Sequence, residues 1–125
     1  MERILIVDDD PSFGEIMKRK LERAGFAVTM RDGPLGTLDE LKRGAYDALL
    51  LDVLMPALDG RMLVHLIRDT ESLRRLRVVL CSSMDTVDLQ KLAERLKVQG
   101  YIAKSSPLDE VVAAVRVVLE LRAVG

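Results

Sequence analysis

Ala48-Leu49-Leu50-Leu51-Asp52-Val53-Leu54-Met55-Pro56 is the stretch on which the fold turns. Its opening apolar run shows no polar alternation and is closed by turn chemistry at Pro56 and Asp59-Gly60, so it reads as a strand buried on both faces. Asp52 then stands where the chain leaves the sheet, the place where open α/β folds keep their ligand chemistry. A second run, Ile4-Leu5-Ile6-Val7, ends in the same way, in Asp8-Asp9-Asp10. If the two strands are parallel neighbours, up to four carboxylates converge, and such a cluster repels itself unless a cation sits within it.

Working outward, strand-like runs recur at Phe26–Met30, Val78–Cys81 and Tyr101–Ala103, with helix-periodic stretches between them and one more after the last. Strands alternating with helices predict an α/β fold of the (βα)5 type, doubly wound, with a parallel sheet covered on both faces. Asp10-Pro11 offers a helix cap followed by proline at the first helical position, and Ser12 with Glu15 offers a capping box as an alternative start. Gly25, Gly44 and Gly100 fall where the first, second and fourth helices should stop. No repeat, linker or low-complexity segment interrupts the chain, so residues 1–125 read as a single domain.

Composition narrows the function classes. The chain has 125 residues, 49% of them hydrophobic and 31% charged, as expected of one globular domain with a real core. A net charge of -1 leaves no nucleic-acid footprint, so direct nucleic-acid binding by this chain is not expected. The single Cys81 makes no internal disulfide and fits a reducing compartment. No apolar stretch approaches the roughly 20 residues that span a bilayer, and the short run before Asp8 is no signal peptide. The expected setting is cytoplasmic, away from membranes.

Groups that follow or end four strands carry chemistry if the strands are parallel, because their loops then open at one sheet edge. Asp8 and Asp9 follow the first strand, Asp52 the third, Ser82 ends the fourth and Lys104 follows the fifth. Carboxylates and a backbone carbonyl are hard oxygen ligands suited to Mg²⁺. With the acids neutralised, a phosphoryl donor can approach. Lys104 supplies a point charge, and Ser82 a hydroxyl, to oxygens arriving on Asp52. An aspartyl-phosphate is the chemistry this set suggests.

These segments resemble the receiver domain of bacterial response regulators over essentially the whole chain. Ile4-Leu5-Ile6-Val7-Asp8-Asp9-Asp10 is similar to the family's first strand and acid pair, and Leu50-Leu51-Asp52-Val53-Leu54-Met55-Pro56 with Asp59-Gly60 to its phosphoacceptor strand and loop. Val79-Leu80-Cys81-Ser82-Ser83 resembles the fourth strand with its switch hydroxyl, and Tyr101-Ile102-Ala103-Lys104 the switch aromatic with the lysine three residues on. The resemblance implies a flavodoxin-like sheet of order 2-1-3-4-5 and the following roles. Asp52 is the phosphoacceptor; Asp9 and the Leu54 carbonyl bind Mg²⁺ directly, and Asp8 mostly through water. Ser82 swings toward phosphate, Tyr101 turns inward with it, and Lys104 partners the phosphate. It implies a sensor histidine kinase or phosphotransfer protein as donor and a downstream protein that reads the surface around strands four and five and the last helix. It implies no enzyme activity beyond the domain's own phosphorylation and dephosphorylation.

Two departures stand out. The family usually places proline after the lysine, often in a cis peptide, whereas this chain has Lys104-Ser105-Ser106-Pro107. A cis bond without proline costs about 2.5–4 kcal/mol, so the Lys104–Ser105 bond is either trans or cis under strain, and Pro107 is free to start the last helix. The family's variable rate-tuning positions, two residues after the phosphoacceptor and two after the switch hydroxyl, hold Leu54 and Met84. Neither orients a water, so slow hydrolysis of the acyl phosphate is expected.

The same residues admit other readings. A phosphatase or dehalogenase-like enzyme using Asp52 needs a second acid where Leu54 stands. An electron carrier of flavodoxin type needs a hydroxyl-rich phosphate loop where three aspartates stand. A degenerate receiver that only binds a partner, without phosphorylation, is the main alternative, and the intact acid, hydroxyl and lysine set argues against it. His65 falls with Arg61 and Arg68, opposite Met62, Leu63, Leu66 and Ile67, and reads as a surface residue. On the last helix, Leu108, Val111, Val112, Val115, Val118 and Leu119 should face the sheet. Val117, Leu121 and Ala114 form a second apolar strip, either wider core contact or a partner or dimer surface. The helix lacks the basic end of winged-helix DNA-binding regulators, so their dimer mode is not expected. The output, and whether the receiver stands alone or belongs to a longer regulator, is left open.

Overall fold

The computed structural model describes residues 1–55 and 60–120. Strands β1 (Arg3–Val7), β2 (Ala27–Arg31), β3 (Ala48–Leu51), β4 (Arg77–Ser82) and β5 (Gly100–Ala103) alternate with helices α1 (Pro11–Arg23), α2 (Thr37–Arg43), α3 (Gly60–Arg68), α4 (Thr86–Leu96) and α5 (Leu108–Glu120). A 3-10 turn at Glu71–Leu73 precedes β4. All strand pairings are parallel and the sheet order is β2-β1-β3-β4-β5. The fold is the flavodoxin-like (βα)5 arrangement expected.

Successive side chains of a strand point to opposite faces, and the central strands feed two separate cores in this way. Leu5, Val7, Leu49, Leu51, Val78 and Leu80 pack with α3 and α4 residues such as Val64 and Leu92. Ile4, Ile6, Leu50, Val79 and Cys81 pack on the other face with Met17 and Leu21 of α1 and Val111 and Val115 of α5. Every residue of β3 is buried, which is why that segment shows no polar alternation.

The helix ends bear out some expectations and correct one. Asp10 is the N-cap of α1, its carboxylate accepting from the Ser12 and Phe13 N–H groups, so it serves the helix and not the acid cluster. Gly25 has the positive φ of 100° expected just after α1. Gly100 stops nothing: it opens β5, and Lys97 takes the left-handed conformation after α4, at φ 56°. A positive φ in a non-glycine residue ends the helix just as well, and composition alone does not reveal it. Pro107 lies one residue before α5, its carbonyl accepting from Glu110 and Val111. Among the described residues there is no cis peptide bond, so the Lys104–Ser105 bond is trans.

On α3, Leu63, Val64 and Ile67 are buried and His65 is exposed, but Met62 and Leu66 lie outward, because the buried stripe is narrower than the apolar one. On α5, Val111, Val115, Val118 and Leu119 are buried, Leu108 and Val112 half-buried, and Val117 is 59% exposed. Ala114 packs against the core and does not share Val117's exposure. Pro56, Asp59 and Leu121, named above, lie outside the described residues. Among the described residues no helix is long and apolar enough to cross a membrane.

Candidate functional site

Strand register brings the polar residues together. Val7 pairs with Leu51, and the Asp52 N–H donates to the Val7 carbonyl at 3.0 Å, so Asp8 and Asp52 emerge side by side. Ser82 pairs with Ala103, and the Lys104 N–H donates to the Ser82 carbonyl at 2.9 Å. Thus backbone pairing, set by apolar strand packing, carries the acids from the middle of the sheet and the lysine from its edge to one place. Behind Asp52, Gly60 begins α3 against Val53; a Cβ there would lie 2.9 Å from the Val53 Cα, so glycine is what lets the helix approach.

Asp8 and Asp52 are almost fully buried, Ser82 fully so, and Asp9 is exposed at the rim. The Lys104 ammonium lies 2.8 Å from Asp8 Oδ2, 3.1 Å from Asp8 Oδ1 and 3.2 Å from Asp52 Oδ2. Asp52 Oδ1 accepts from the Leu54 N–H at 2.9 Å, and Asp8 Oδ1 from the Asp10 N–H at 2.8 Å. Each carboxylate is therefore held in place by the turn that follows its own strand. Burial pushes the Asp8 carboxyl above its ordinary range, although hydrogen bonds from Lys104 and Asp10 pull the other way. Burial also opposes the charge on Lys104, but its hydrogen bond to Asp8 and the charges of Asp8 and Asp52 outweigh this and raise its pKa. Burial wins for the acid and pairing wins for the better-solvated lysine.

The donor set suits a small divalent cation. Carboxylate oxygens of Asp8, Asp9 and Asp52 lie within 4.8 Å of one another, and the Lys104 ammonium is bonded to Asp8 and Asp52. Three acids against one ammonium leave negative charge to be neutralised, and hard oxygens suit Mg²⁺. Ser82 Oγ accepts from the Met84 N–H at 3.0 Å, which leaves its hydroxyl hydrogen available to donate elsewhere. Tyr101, opposite Leu80 in the register, is 37% exposed and, among the described residues, makes no bond to the cluster. Leu54 is 51% exposed beside Asp52, whereas Met84 is half-buried against the α3/α4 core.

Asp8, Asp9, Asp52, Ser82 and Lys104 thus share one sheet edge, while Tyr101 sits on a flank. One neighbour escaped the sequence reading. The Phe13 ring lies under the Lys104 ammonium, 4.7 Å from nitrogen to ring centroid. Its only sequence signal is an aromatic residue in the first turn of the helix that starts beside the acids. Cys81, just below the site, has its thiol pushed up to about 12 by burial and belongs to the core.

The model of the response regulator receiver domain matches residues 4–116, and the chain belongs to that family. Response regulator MprA of Mycobacterium leprae is 32% identical over 117 residues, covering 94% of this chain and 50% of that protein. The chain spans about half the length of the curated relatives it matches, 50% and 51% for the first two. Among solved structures, the BeF3-activated N-terminal receiver domain of Klebsiella pneumoniae RstA superposes with a TM-score of 0.86 at 25% identity, covering 96% of this chain and 100% of that one. The chemotaxis response regulator CheY4 of Vibrio cholerae shares the fold at a TM-score of 0.86 and 19% identity, covering 94% and 98%. Receiver domains of this family are signalling domains that interact with histidine kinases and downstream partners.

Proposed function

We propose that residues 1–125 form one receiver domain in which Asp52 accepts a phosphoryl group from a histidine kinase or phosphotransfer protein. The observation that carries this reading is the shared ammonium: Lys104 bridges Asp8 and Asp52, while the Leu54 N–H holds the other Asp52 oxygen. In the transfer, an Asp52 carboxylate oxygen attacks phosphorus, the new O–P bond forms, and the bond to the donor's nitrogen breaks. The donor imidazole leaves with that electron pair and takes up a proton from solvent. Mg²⁺ held by Asp9, Asp52 and the Leu54 carbonyl, with Asp8 acting mostly through water, would neutralise the acids and the arriving oxygens.

The protein's own residues do the rest. Lys104 moves its hydrogen bonds from the carboxylates to the phosphoryl oxygens, and the Ser82 hydroxyl donates to another. Tyr101 then follows Ser82 inward, shifting the population of a surface around β4, β5 and α5 that a downstream protein reads. Exposed Val117 belongs to that surface, as a partner or dimer contact. Leu54 and Met84 leave the attacking water unassisted, so the acyl phosphate is long-lived. The site acts on itself alone and turns over no separate substrate, and the setting is the cytoplasm. A phosphorylation-independent binding module would have no need of the intact set of Asp52, Ser82 and Lys104.

Incubation with Mg²⁺ and acetyl phosphate, read by intact mass, tests this. The expected result is a gain of one phosphoryl group that does not occur when Mg²⁺ is chelated beforehand; no gain at saturating Mg²⁺ overturns the reading.

A further inference from the structure

Lys104 is restrained unevenly by its acids. Its ammonium is nearer Asp8, at 2.8 Å, than Asp52, at 3.2 Å, so charge alone would draw it onto Asp8. Its backbone is tied to β4 through Ser82, but a four-carbon stem leaves the head several rotamers to choose from. The Phe13 ring is the neighbour placed against that head group. A ring's negative face attracts a cation lying over it, and the ammonium sits 4.7 Å from the centroid. The ring is aimed by the helix cap: the Asp10 carboxylate accepts from the Phe13 N–H at 3.3 Å, fixing the first turn of α1 beside the acids. Core packing accounts for an apolar residue here, since Phe13 also lies against the α1/α5 core. It does not account for an ammonium over the ring face.

We propose that Phe13 is a positioning residue for Lys104, its ring holding the ammonium between Asp8 and Asp52, ready for the oxygens of an incoming phosphoryl group. The inference rests on the reading of Asp52 as phosphoacceptor, and it adds a residue outside the acid, hydroxyl and lysine set. It also fits a chain in which Ser105 follows the lysine: with no proline ring to fix the turn, the restraint comes from the side of the head group.

Phe13→Leu removes the ring face and keeps apolar bulk; Phe13→Tyr keeps both. The Lys104 ε-methylene protons, read by NMR, should lie upfield from ring current in the native protein and in Phe13→Tyr, and lose that shift in Phe13→Leu. Phosphoryl uptake from acetyl phosphate at saturating Mg²⁺ should slow about three- to tenfold in Phe13→Leu and hold in Phe13→Tyr, with Mg²⁺ affinity unchanged in both. In a Lys104→Met background, Phe13→Leu should add nothing to the residual rate. A Lys104 shift untouched by Phe13→Leu, a Tyr variant as slow as the Leu variant, or the same slowing without the lysine overturns the proposal. Should the native protein take up no phosphoryl group, the Asp52 reading fails, while the Lys104 shifts still decide whether the ring holds the ammonium.

Discussion

Two lysine–aspartate contacts in this molecule use the same chemistry with opposite results. Lys20 of α1 meets Asp109 of α5 at 2.6 Å on the surface, with the Asp109 side chain 87% exposed. Lys104 meets Asp8 at a slightly longer 2.8 Å, with the Asp8 side chain 2% exposed. The hydrogen bond and charge of Lys20 hold Asp109 below its usual range, whereas burial holds Asp8 above it despite a comparable partner. Proximity therefore does not rank the two contacts. Desolvation does, and it marks the buried one as a place where charge is kept at a cost to stability.

The strongest way to break this comparison is to remove the carboxylate that shares Lys104 with Asp8. Asp52→Asn should lose all phosphoryl uptake, read by intact mass, with circular dichroism unchanged because asparagine keeps the shape and an oxygen to accept from the Leu54 N–H. Next comes the water that must reach the site. Leu54→Asn combined with Met84→Glu gives that water hydrogen-bonding partners and should speed loss of the phosphoryl group about tenfold, followed as the decay of the phosphorylated mass. An unchanged half-life would show that these two side chains do not limit hydrolysis.

Removing the cations sharpens the contrast. Lys104→Met leaves two buried carboxylates without their shared partner and should lower unfolding stability at neutral pH, without Mg²⁺, by about 2 kcal/mol. This is below the range for a fully buried pair, because the lysine side chain keeps 17% of its surface in water. Lys20→Met should leave the urea midpoint unchanged, as exposed pairs usually do. Equal losses in the two variants would refute the ranking by burial.

The acid range gives the smallest effect and a clear sign. Asp8 has a folded pKa above its ordinary 3.8, so the folded metal-free protein binds this proton more readily than the unfolded chain. Its unfavourable contribution is full above the raised folded value and is relieved as pH falls through that value toward 3.8. Asp109 runs the other way: its contribution is present above 3.8 and lost as pH falls through its lowered folded value. Lys104 contributes fully below 10.5 and loses its contribution as pH rises through its raised folded value. Urea midpoints of Asp8→Asn against the native protein should therefore differ most at neutral pH, favouring the variant, and converge in acid. Convergence at neutral pH with divergence in acid would reverse the assignment.

Much of this was legible in the residues. Ala48–Leu51 and Ile4–Val7 announce themselves as buried strands because both faces of each are apolar, and the acids that end them follow from the register. Punctuation was less legible. Gly100 looks like a helix stop but opens a strand, because Lys97 adopts positive φ. Asp10 reads both as a fourth acid and as a cap before Pro11, and it is the cap, as the Asp10-Pro11 pair suggests. Met62 and Leu66 look like core, yet lie outside a buried stripe that Leu63, Val64 and Ile67 already fill. Phe13 was not legible as a neighbour of Lys104, since the two are far apart in sequence and only the rotamer chosen by packing sets one over the other.

The most direct measurement is chemical trapping of the loaded site. After incubation with Mg²⁺ and acetyl phosphate, borohydride reduction and peptide mapping should find an acyl phosphate at Asp52 alone, and none when the cation is chelated. Modification at Asp8 or Asp9 in place of Asp52, or none at saturating Mg²⁺, would contradict the account.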